Sequence, residues 1–576
     1  MVHGRIKRRE FLRIAGLGAA ASVAAACQPQ VVVETVVKEV EKVVKETVIV
    51  DGEERVVEKV VTVMPDVAPS IVTPPGSLPI VEDTVTLKIL ASGTKDFNQN
   101  AWTEWLEEQT NIKLDYDMAI GPEARDKLNL AVAAGDLPDV IAYFGLTLAD
   151  QQVLADQGVV MPLNDLIERH GFETKAILNK HPEIREQLTL ADGQFYSLWN
   201  YASVLHVSLA HKMWIYRPWL ETLGLEMPTT TEELHEVLKA FKTGDPNGTG
   251  MADELPLSGS TASWCEPDRF IMNAFVFNDR MMSKNLMLDG GVIKASFSQP
   301  GWQEGLEYMH TLFEDGLVDP QIFTQDRDML TAMTEGEPNM VGAVQALWYG
   351  QFTRYGGETG RYAEFEAVPP LEGPTGLRQT PWNPYQPLAT GTWLITKDCQ
   401  YPEVAFRLAD FFYNYEATMR NVWGVKGLDW REGLPGEVAI DGGPARFAML
   451  RPWSIDPDTF MNVSVNYQPD EVRAGQIEQE GDVETVLFRI SQNVYAPFGV
   501  QDKVLPFLAF TAEQAAELGE LDMVINSYKD QSFAEFVTGA LNPDRDWDTY
   551  LDRLNGLGMQ RYLEIYQEAY DAKMGA

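Results

Sequence analysis

The residues best suited to chemistry lie in one short run, Asp245 to Glu254, which reads DPNGTGMADE. It carries three carboxylates, an amide, a hydroxyl and two glycines at tight spacing. An oxygen-only set of this kind suits Ca²⁺, and no soft ligand is present to favour zinc. Asp245, Asn247 and Thr249 alternate as positions 1, 3 and 5 of a calcium loop do. Gly250 stands at position 6, where the chain must turn sharply, and the backbone oxygen of Met251 falls at position 7. Asp253 and Glu254 follow as the closing carboxylates. Position 12 is Pro256, so the bidentate Glu of an EF-hand is missing. An ordinary polar turn is the competing reading.

Other constellations are less specific. With 85 Asp and Glu, an acid/base carboxyl pair of the glycosidase kind is not excluded by composition. The seven histidines form no HExxH or other close pair with metal-ligand spacing, and His206 and His211, five apart, fall off one helical face. There is no GxSxG elbow and no phosphate-binding loop. A net charge of -39 opposes phosphate binding, so no nucleic-acid partner is expected. Three cysteines are too few for a disulfide framework, and Cys265 and Cys399 read as unpaired thiols.

The elements that position these residues begin with an address. Arg5, Lys7, Arg8, Arg9 and Arg13 precede an apolar run, Ile14 to Ala26, that is too short to span a bilayer and reads as a signal peptide over residues 1–26. RREFLR resembles the twin-arginine export motif. AAAC resembles a lipobox, which implies cleavage before Cys27 and lipidation of that residue; a soluble secreted protein cleaved nearby is the alternative. Residues 27–84 read as a Val/Glu/Lys stalk followed by a Pro-rich linker. Val33, Val37, Val40 and Val44 follow a heptad-like spacing, which leaves a short coiled coil and an extended charged tether both open.

The globule is expected from residue 85 to 576. VTLKIL reads as a strand, Ala101 to Gln109 as a helix, IKLDYD as a strand, Ala124 to Ala134 as a helix closed by Gly135, and DLPDVIAYF as a buried strand. Alternating strands and helices imply an α/β lobe whose ligands bind beyond the carboxyl ends of the strands. The loops TKDFN and YFG lie there and offer Asn98 and Phe144. Thr230 and Glu233 read as the capping box of a helix reaching Lys242, which delivers the chain directly into DPNGTGMADE.

Several segments in order resemble the extracellular solute-binding proteins of ABC importers, in the subgroup that binds oligosaccharides. They include AAGDLPDVIA (133–142), DQGVVMPLNDLIERHG (156–171), YRPWLETLGLEMPTTTEEL (216–234), KTGDPNGTGMADELPL (242–257), FEDGLVDPQIFTQD (313–326), VPPLEGPTG (368–376), WLITKDCQYPEVAFRLADFFY (393–413) and WGVKGLDW (423–430). The resemblance implies a two-lobed, periplasmic-binding-protein-like (type II) α/β fold with hinge crossovers and a ligand cleft. The lobes would comprise about 85–195 with 370–440, and about 196–369 with 441–576. It further implies a permease partner and a structural Ca²⁺ held by Asp245, Asn247, Thr249, Met251, Asp253 and Glu254. The lipobox independently implies a lipid-anchored extracytoplasmic location, and with no specific catalytic motif in the sequence no enzymatic activity is expected.

A sugar cleft needs aromatic faces and hydrogen-bonding edges. Loop-like segments offer Tyr196 and Trp199 (YSLWNY), Trp264, Trp348 and Tyr349 (ALWYGQ), Trp382 and Tyr385 (TPWNPYQP), and Trp453. At least two of these are expected at the cleft. Trp102, Trp105, Trp219 and Trp393 sit on helix or strand patterns and read as core. A peptide ligand is the nearer rival to a sugar, and a secreted glycoside hydrolase the more distant one. The acidic composition leans toward a neutral saccharide, because a uronic acid would need Arg or Lys in the cleft, for which Arg217 and Arg451 are candidates.

Overall fold

The computed structural model describes residues 40–50, 53–63, 71–93, 95–121, 123–190, 192–262, 264–281, 283–354, 361–384, 388–451 and 464–575. The signal segment, Cys27, Tyr385 and Trp453 lie outside the described residues. Two compact units result, 1–70 and 71–576. In the first, Val40–Val50 pairs antiparallel with Glu53–Val63. Helical pairing is therefore not found where Val40 and Val44 suggested it. Val is a poor helix former and a good strand former, and an Asp51-Gly52 dipeptide joins the two runs.

The larger unit begins before the expected residue 85. Val72 bridges to Val81, Ile80 and Val81 are buried, and the buried Arg407 donates from Nη1 to the Thr73 carbonyl at 2.7 Å and from Nη2 to that of Ser77 at 3.1 Å. Pro74, Pro75 and Pro79 thus lie in a stretch tied to the globule rather than in a free linker, while Pro65 and Pro69 lie outside the described residues.

Two sheets organise the rest. The six-stranded sheet runs, in spatial order, Asn466–Gln468, Leu198–Ala202, Leu388–Ile395, Val140–Ala142, Val85–Gly93 and Ile112–Ile120. Its first three strands in sequence pair in parallel, with the helices Ala101–Thr110 and Ala124–Ala134 between them. Leu87 and Ile89 face the core while their alternating neighbours do not all do so, as the period of two requires. The four-stranded sheet runs Phe365–Val368, Met213–Tyr216, Val341–Gln345 and Leu255–Ser258. Its core continues into the C-terminal helices Ala512–Val537, Pro543–Gly556 and Met559–Met574, which contribute Phe536, Tyr550, Tyr562 and Ile565.

The expected boundaries at 195 and 440 need correction on this evidence. Leu198–Ala202 and Asn466–Gln468 both pair within the six-stranded sheet. Strand hydrogen bonds, not sequence proximity, decide membership, and the last of these strands returns after a long excursion.

Candidate functional site

A cavity of about 660 Å³ and a smaller one of about 310 Å³ lie side by side and share Val204, His206, Arg473 and Glu484 in their walls. Elements of both sheets supply the lining. Asn200 and Ala202 come from the strand Leu198–Ala202 and Gln468 from its neighbour. Leu347 and Trp348 follow the strand Val341–Gln345, and Trp382 to Pro384 follow residues that pair with Gly499 and Val500. The helix Val483–Ile490 adds Glu484, Leu487 and Phe488.

Strand geometry explains the first wall. Trp199 is fully buried against Tyr413, with ring centroids 5.3 Å apart, whereas Asn200 on the opposite face lines the smaller cavity. Successive side chains of a strand point to opposite faces. The polar residue, not its aromatic neighbour, therefore reaches the cavity.

An ion pair divides the two spaces. Arg473 donates from Nη2 to Glu484 Oε1 at 2.6 Å and from Nη1 to Gln468 Oε1 at 3.1 Å, and its guanidinium carbon lies 5.5 Å from the Trp423 ring centre. Its Nε is buried without a hydrogen-bond partner among the described residues. Burial pushes the Glu484 carboxyl up, against the pull of Arg473. Asp482 is likewise raised by burial, although it accepts from Gln476 Nε2 at 2.7 Å and from the Thr485 amide at 3.1 Å. Burial holds the His206 imidazole well below its ordinary value, helped by the charges of Arg473 and Lys212. His206 is thus a neutral hydrogen-bonding edge in the wall.

Behind that wall, Lys212 is fully buried and donates to the His206 carbonyl at 2.7 Å and to that of Leu209. Burial depresses its ammonium strongly. This lysine ties together the crossover from the strand Leu198–Ala202 of one sheet to the strand Met213–Tyr216 of the other.

Of the residues singled out in the sequence, the structure brings Trp348 and Trp382 to the cavities. Among the described residues it does not bring Asn98, Phe144, Tyr196, Trp199, Trp264 or Tyr349 there. Trp199 and Tyr349 are enclosed core residues, the latter beside Trp214 and Tyr362. Tyr196 is buried with its hydroxyl on Asp192, 2.8 Å away. Phe144 packs half-buried on the Leu90 and Ile141 cluster. Trp264 packs under the Arg269 guanidinium at 5.1 Å. Asn98 is spent on the backbone: its Nδ2 donates to the Tyr116 carbonyl at 2.8 Å and its Oδ1 accepts from the Tyr116 amide at 2.9 Å. Trp423, Arg473, Glu484 and Gln468 were not singled out, and His206 was weighed only as a metal partner of His211. Trp423 opens WGVKGLDW and carried no chemical mark beyond its type.

The DPNGTGMADE run hangs from a helix that forms as its caps dictate. Thr230 and Glu233 make the reciprocal capping box of Thr231–Thr243, and Gly244 ends it. The loop then closes on itself. Gly250, at φ +68°, donates to both Asp245 oxygens at 3.1 Å. Asn247 Nδ2 and Thr249 Oγ1 both donate to Asp253 Oδ1, at 2.8 and 3.0 Å. Glu254 is buried, and its Oε1 has no hydrogen-bond partner among the described residues. Burial is the main cause of its raised pKa, with Asp253 and Asp245 adding to it. Among the described residues no three His, Cys, Asp or Glu side chains are drawn together closely enough to form a metal cluster. Cys265 and Cys399 are free thiols. No helix among the described residues is long and apolar enough to cross a membrane.

A cleft between two α/β layers, lined by tryptophans and amides, is what a solute receptor requires. The profile of the bacterial extracellular solute-binding proteins matches residues 91–419, more than half of the chain. The chain is a bacterial extracellular solute-binding protein. It is 27% identical over 505 residues to the fructooligosaccharide ABC transporter substrate-binding protein FusA of Streptococcus pneumoniae, covering 85% of this chain and 91% of that protein. The structure of FusA in complex with kestose superposes with a TM-score of 0.73 at 25% identity, covering 85% of this chain and 99% of that one. An EF-hand mutant of FusA in complex with fructo-nystose does so equally. The alginate-binding protein AlgQ2, solved without calcium ion, shares the fold at a TM-score of 0.65, with 22% identity over 85% of this chain and 99% of that one. This solute-binding protein is therefore a two-lobed α/β receptor whose relatives are substrate-binding proteins of ABC transporters.

Proposed function

We propose that this solute-binding protein captures an oligosaccharide in the cleft formed by the two adjoining cavities and delivers it to an ABC permease. The observation that carries the reading is the lining itself: Trp348, Trp382 and Trp423 stand among Asn200, Gln468, Gln476, Asn383 and His206. Indole faces take the C–H surfaces of sugar rings, and amides and a neutral imidazole exchange hydrogen bonds with hydroxyls. A combined space of this order lies in the range of ligand sites. The name of FusA and the sugars in its complexes support the class. Closure of the lobes about the Lys212 crossover would bury the ligand and present the loaded form to the permease.

The resemblance of RREFLR to a twin-arginine motif and of AAAC to a lipobox supports export and anchoring through Cys27, and an anchor would keep the receptor beside a membrane-bound permease. Asp245, Asn247, Thr249, the Met251 carbonyl, Asp253 and Glu254 would hold a structural Ca²⁺. The buried Glu254 oxygen without a donor fits such an ion, because a cation satisfies an oxygen that no N–H reaches. When bound, the ion would neutralise the loop's carboxylates, while Gly250 sets the turn and Asn247 and Thr249 orient Asp253.

Parallel panels of oligosaccharides and peptides, scored by thermal shift and then calorimetry, test the reading. A saccharide should raise the melting temperature and bind with one site per chain. Stabilisation by peptides alone would replace the sugar assignment, and release of free sugar would replace the receptor by an enzyme.

A further inference from the structure

The fold family does not decide whether the ligand is neutral or acidic, since an alginate-binding and a fructooligosaccharide-binding protein share this architecture. The charges in the cleft wall do bear on it. We infer, building on the oligosaccharide reading above, that the cleft is built to take uncharged sugars and to reject uronates, with Asp470 and Asp482 as the residues that set this selectivity.

Among the described residues Arg473 is the single Lys or Arg in the linings of both cavities, and both of its terminal nitrogens are engaged, by Glu484 and Gln468. A sugar carboxylate reaching it would displace Glu484 and leave a half-buried carboxylate without its partner, which is costly. The next cation, Lys212, is enclosed behind His206 and held by two backbone carbonyls. His206 is kept neutral by burial. Lys180, 2.5 Å from Glu471, and Arg446 beyond it compensate that carboxylate at the rim.

Asp441, Asp470 and Asp482 remain without a cation among the described residues. Asp441 accepts from the Gly443 amide, Asp470 from the Ser203 hydroxyl, and Asp482 from Gln476 and Thr485. These donors are all neutral, so among the described residues no counter-charge stands beside the three carboxyl groups. The candidate cations named from sequence lie elsewhere. Arg217 sits 3.7 Å from Glu221 on its own helix, and Arg451 pairs with Asp429; neither lines a cavity. Residues 355–360, 385–387 and 452–463 contain no Lys or Arg in their sequence, so they bring no compensating charge. A uronate entering this space meets the acidic side chains Asp441, Asp470 and Asp482, whereas hydroxyls meet acceptors and amide donors.

Calorimetry on the full mature chain tests the inference, using neutral fructo-, gluco- and manno-oligosaccharides, each beside the same sugar oxidised at C6 to the uronate. The neutral member should bind at least about tenfold tighter, and the ratio should narrow as salt rises to about 0.5 M, because screening weakens charge repulsion. Asp470→Asn and Asp482→Asn keep the Ser203 bond and the helix cap, and should narrow the ratio at low salt while leaving the fold intact by melting. Uronates that bind as tightly as their neutral partners, or a ratio indifferent to salt and to both variants, would overturn the selectivity while leaving the oligosaccharide reading standing. Binding by neither member of any pair would remove both.

Discussion

The cleft and the 245–254 loop are both rich in carboxylates, yet they treat them in opposite ways. In the cleft, Glu484 has Arg473, Asp482 has Gln476 and Thr485, and Asp470 has Ser203. In the loop, Glu254 is buried with one oxygen left without a donor, and the shared acceptor Asp253 turns its neighbours inward. A wall whose acids are already satisfied presents a fixed hydrogen-bonding surface for neutral groups. A wall with an unsatisfied buried acid is completed by a cation. On the proposed assignments recognition and reinforcement occupy two separate places, and perturbing one should leave the other largely unaffected.

The largest effect is expected in the cleft. Replacing Trp348 and Trp382 together by Ala removes two stacking faces, each contributing on the order of 1–1.5 kcal/mol. Sugar affinity should fall about 100-fold by calorimetry, while the calcium-dependent rise in melting temperature stays. If affinity held, the cavities would not be the sugar site and the contrast between the regions would fail on its first side.

Calcium withdrawal probes the other side. An ion present at about 100 times its dissociation constant stabilises the fold by about 2.7 kcal/mol. EGTA should therefore lower the melting temperature by several degrees and leave sugar stoichiometry unaltered, and Glu254→Gln should abolish the response to EGTA. A melting temperature indifferent to calcium and chelator would make the loop a plain polar turn.

This division was only partly legible in the sequence. The parallel strands from Val85 to Ala142, the helix from Thr231 and its capping box follow from periodicity and cap residues, which act locally. The 245–254 run was legible as a calcium loop or a polar turn; that its amide, hydroxyl and backbone donors turn onto Asp253 and Asp245 was not. The cleft was harder to read because it is assembled from distant segments. Adjacent Trp348 and Tyr349 are chemically alike, yet one lines a cavity and the other is enclosed. In YSLWNY the aromatic faces the core and Asn200 faces the cavity, a consequence of strand phase that the loop-like composition concealed. Arg473 and Glu484 gain their role only because the chain returns to the first sheet at Asn466–Gln468, and nothing local announces that return.

Acid should affect stability through His211 of the crossover. Burial, the dominant influence, brings the His211 imidazole down to about 4, with Asp279 opposing it. The unfolded chain takes up a proton near pH 6.5 while the folded chain does not. Stability is then fully present above about pH 6.5 and is lost progressively as pH falls toward about 4, by on the order of 1–3 kcal/mol. Urea melts across that window should show the decline, and His211→Gln, whose side-chain oxygen can accept from the Arg280 amide as the imidazole does at 3.3 Å, should flatten it. An unchanged slope in the variant would assign the acid response elsewhere.

The smallest predicted effect refines the loop's chemistry. Thr249 occupies a place where a carboxylate or amide would be a stronger ligand, and its hydroxyl is spent donating to Asp253 and accepting from the Met251 amide at 3.1 Å. Thr249→Asp adds one charged oxygen donor, and calcium affinity rises with ligand charge. The same change places another anion beside Asp253, so the calcium-free protein should melt slightly lower than the parent. Calcium titrations followed by melting temperature should thus show a gain of roughly three- to tenfold in affinity, on the order of 1 kcal/mol, with sugar binding unmoved. A variant with weaker calcium binding would mean that Thr249 serves the loop through its two hydrogen bonds and not as a place for a ligand, and the loop would then hold its ion through Asp245, Asp253 and Glu254.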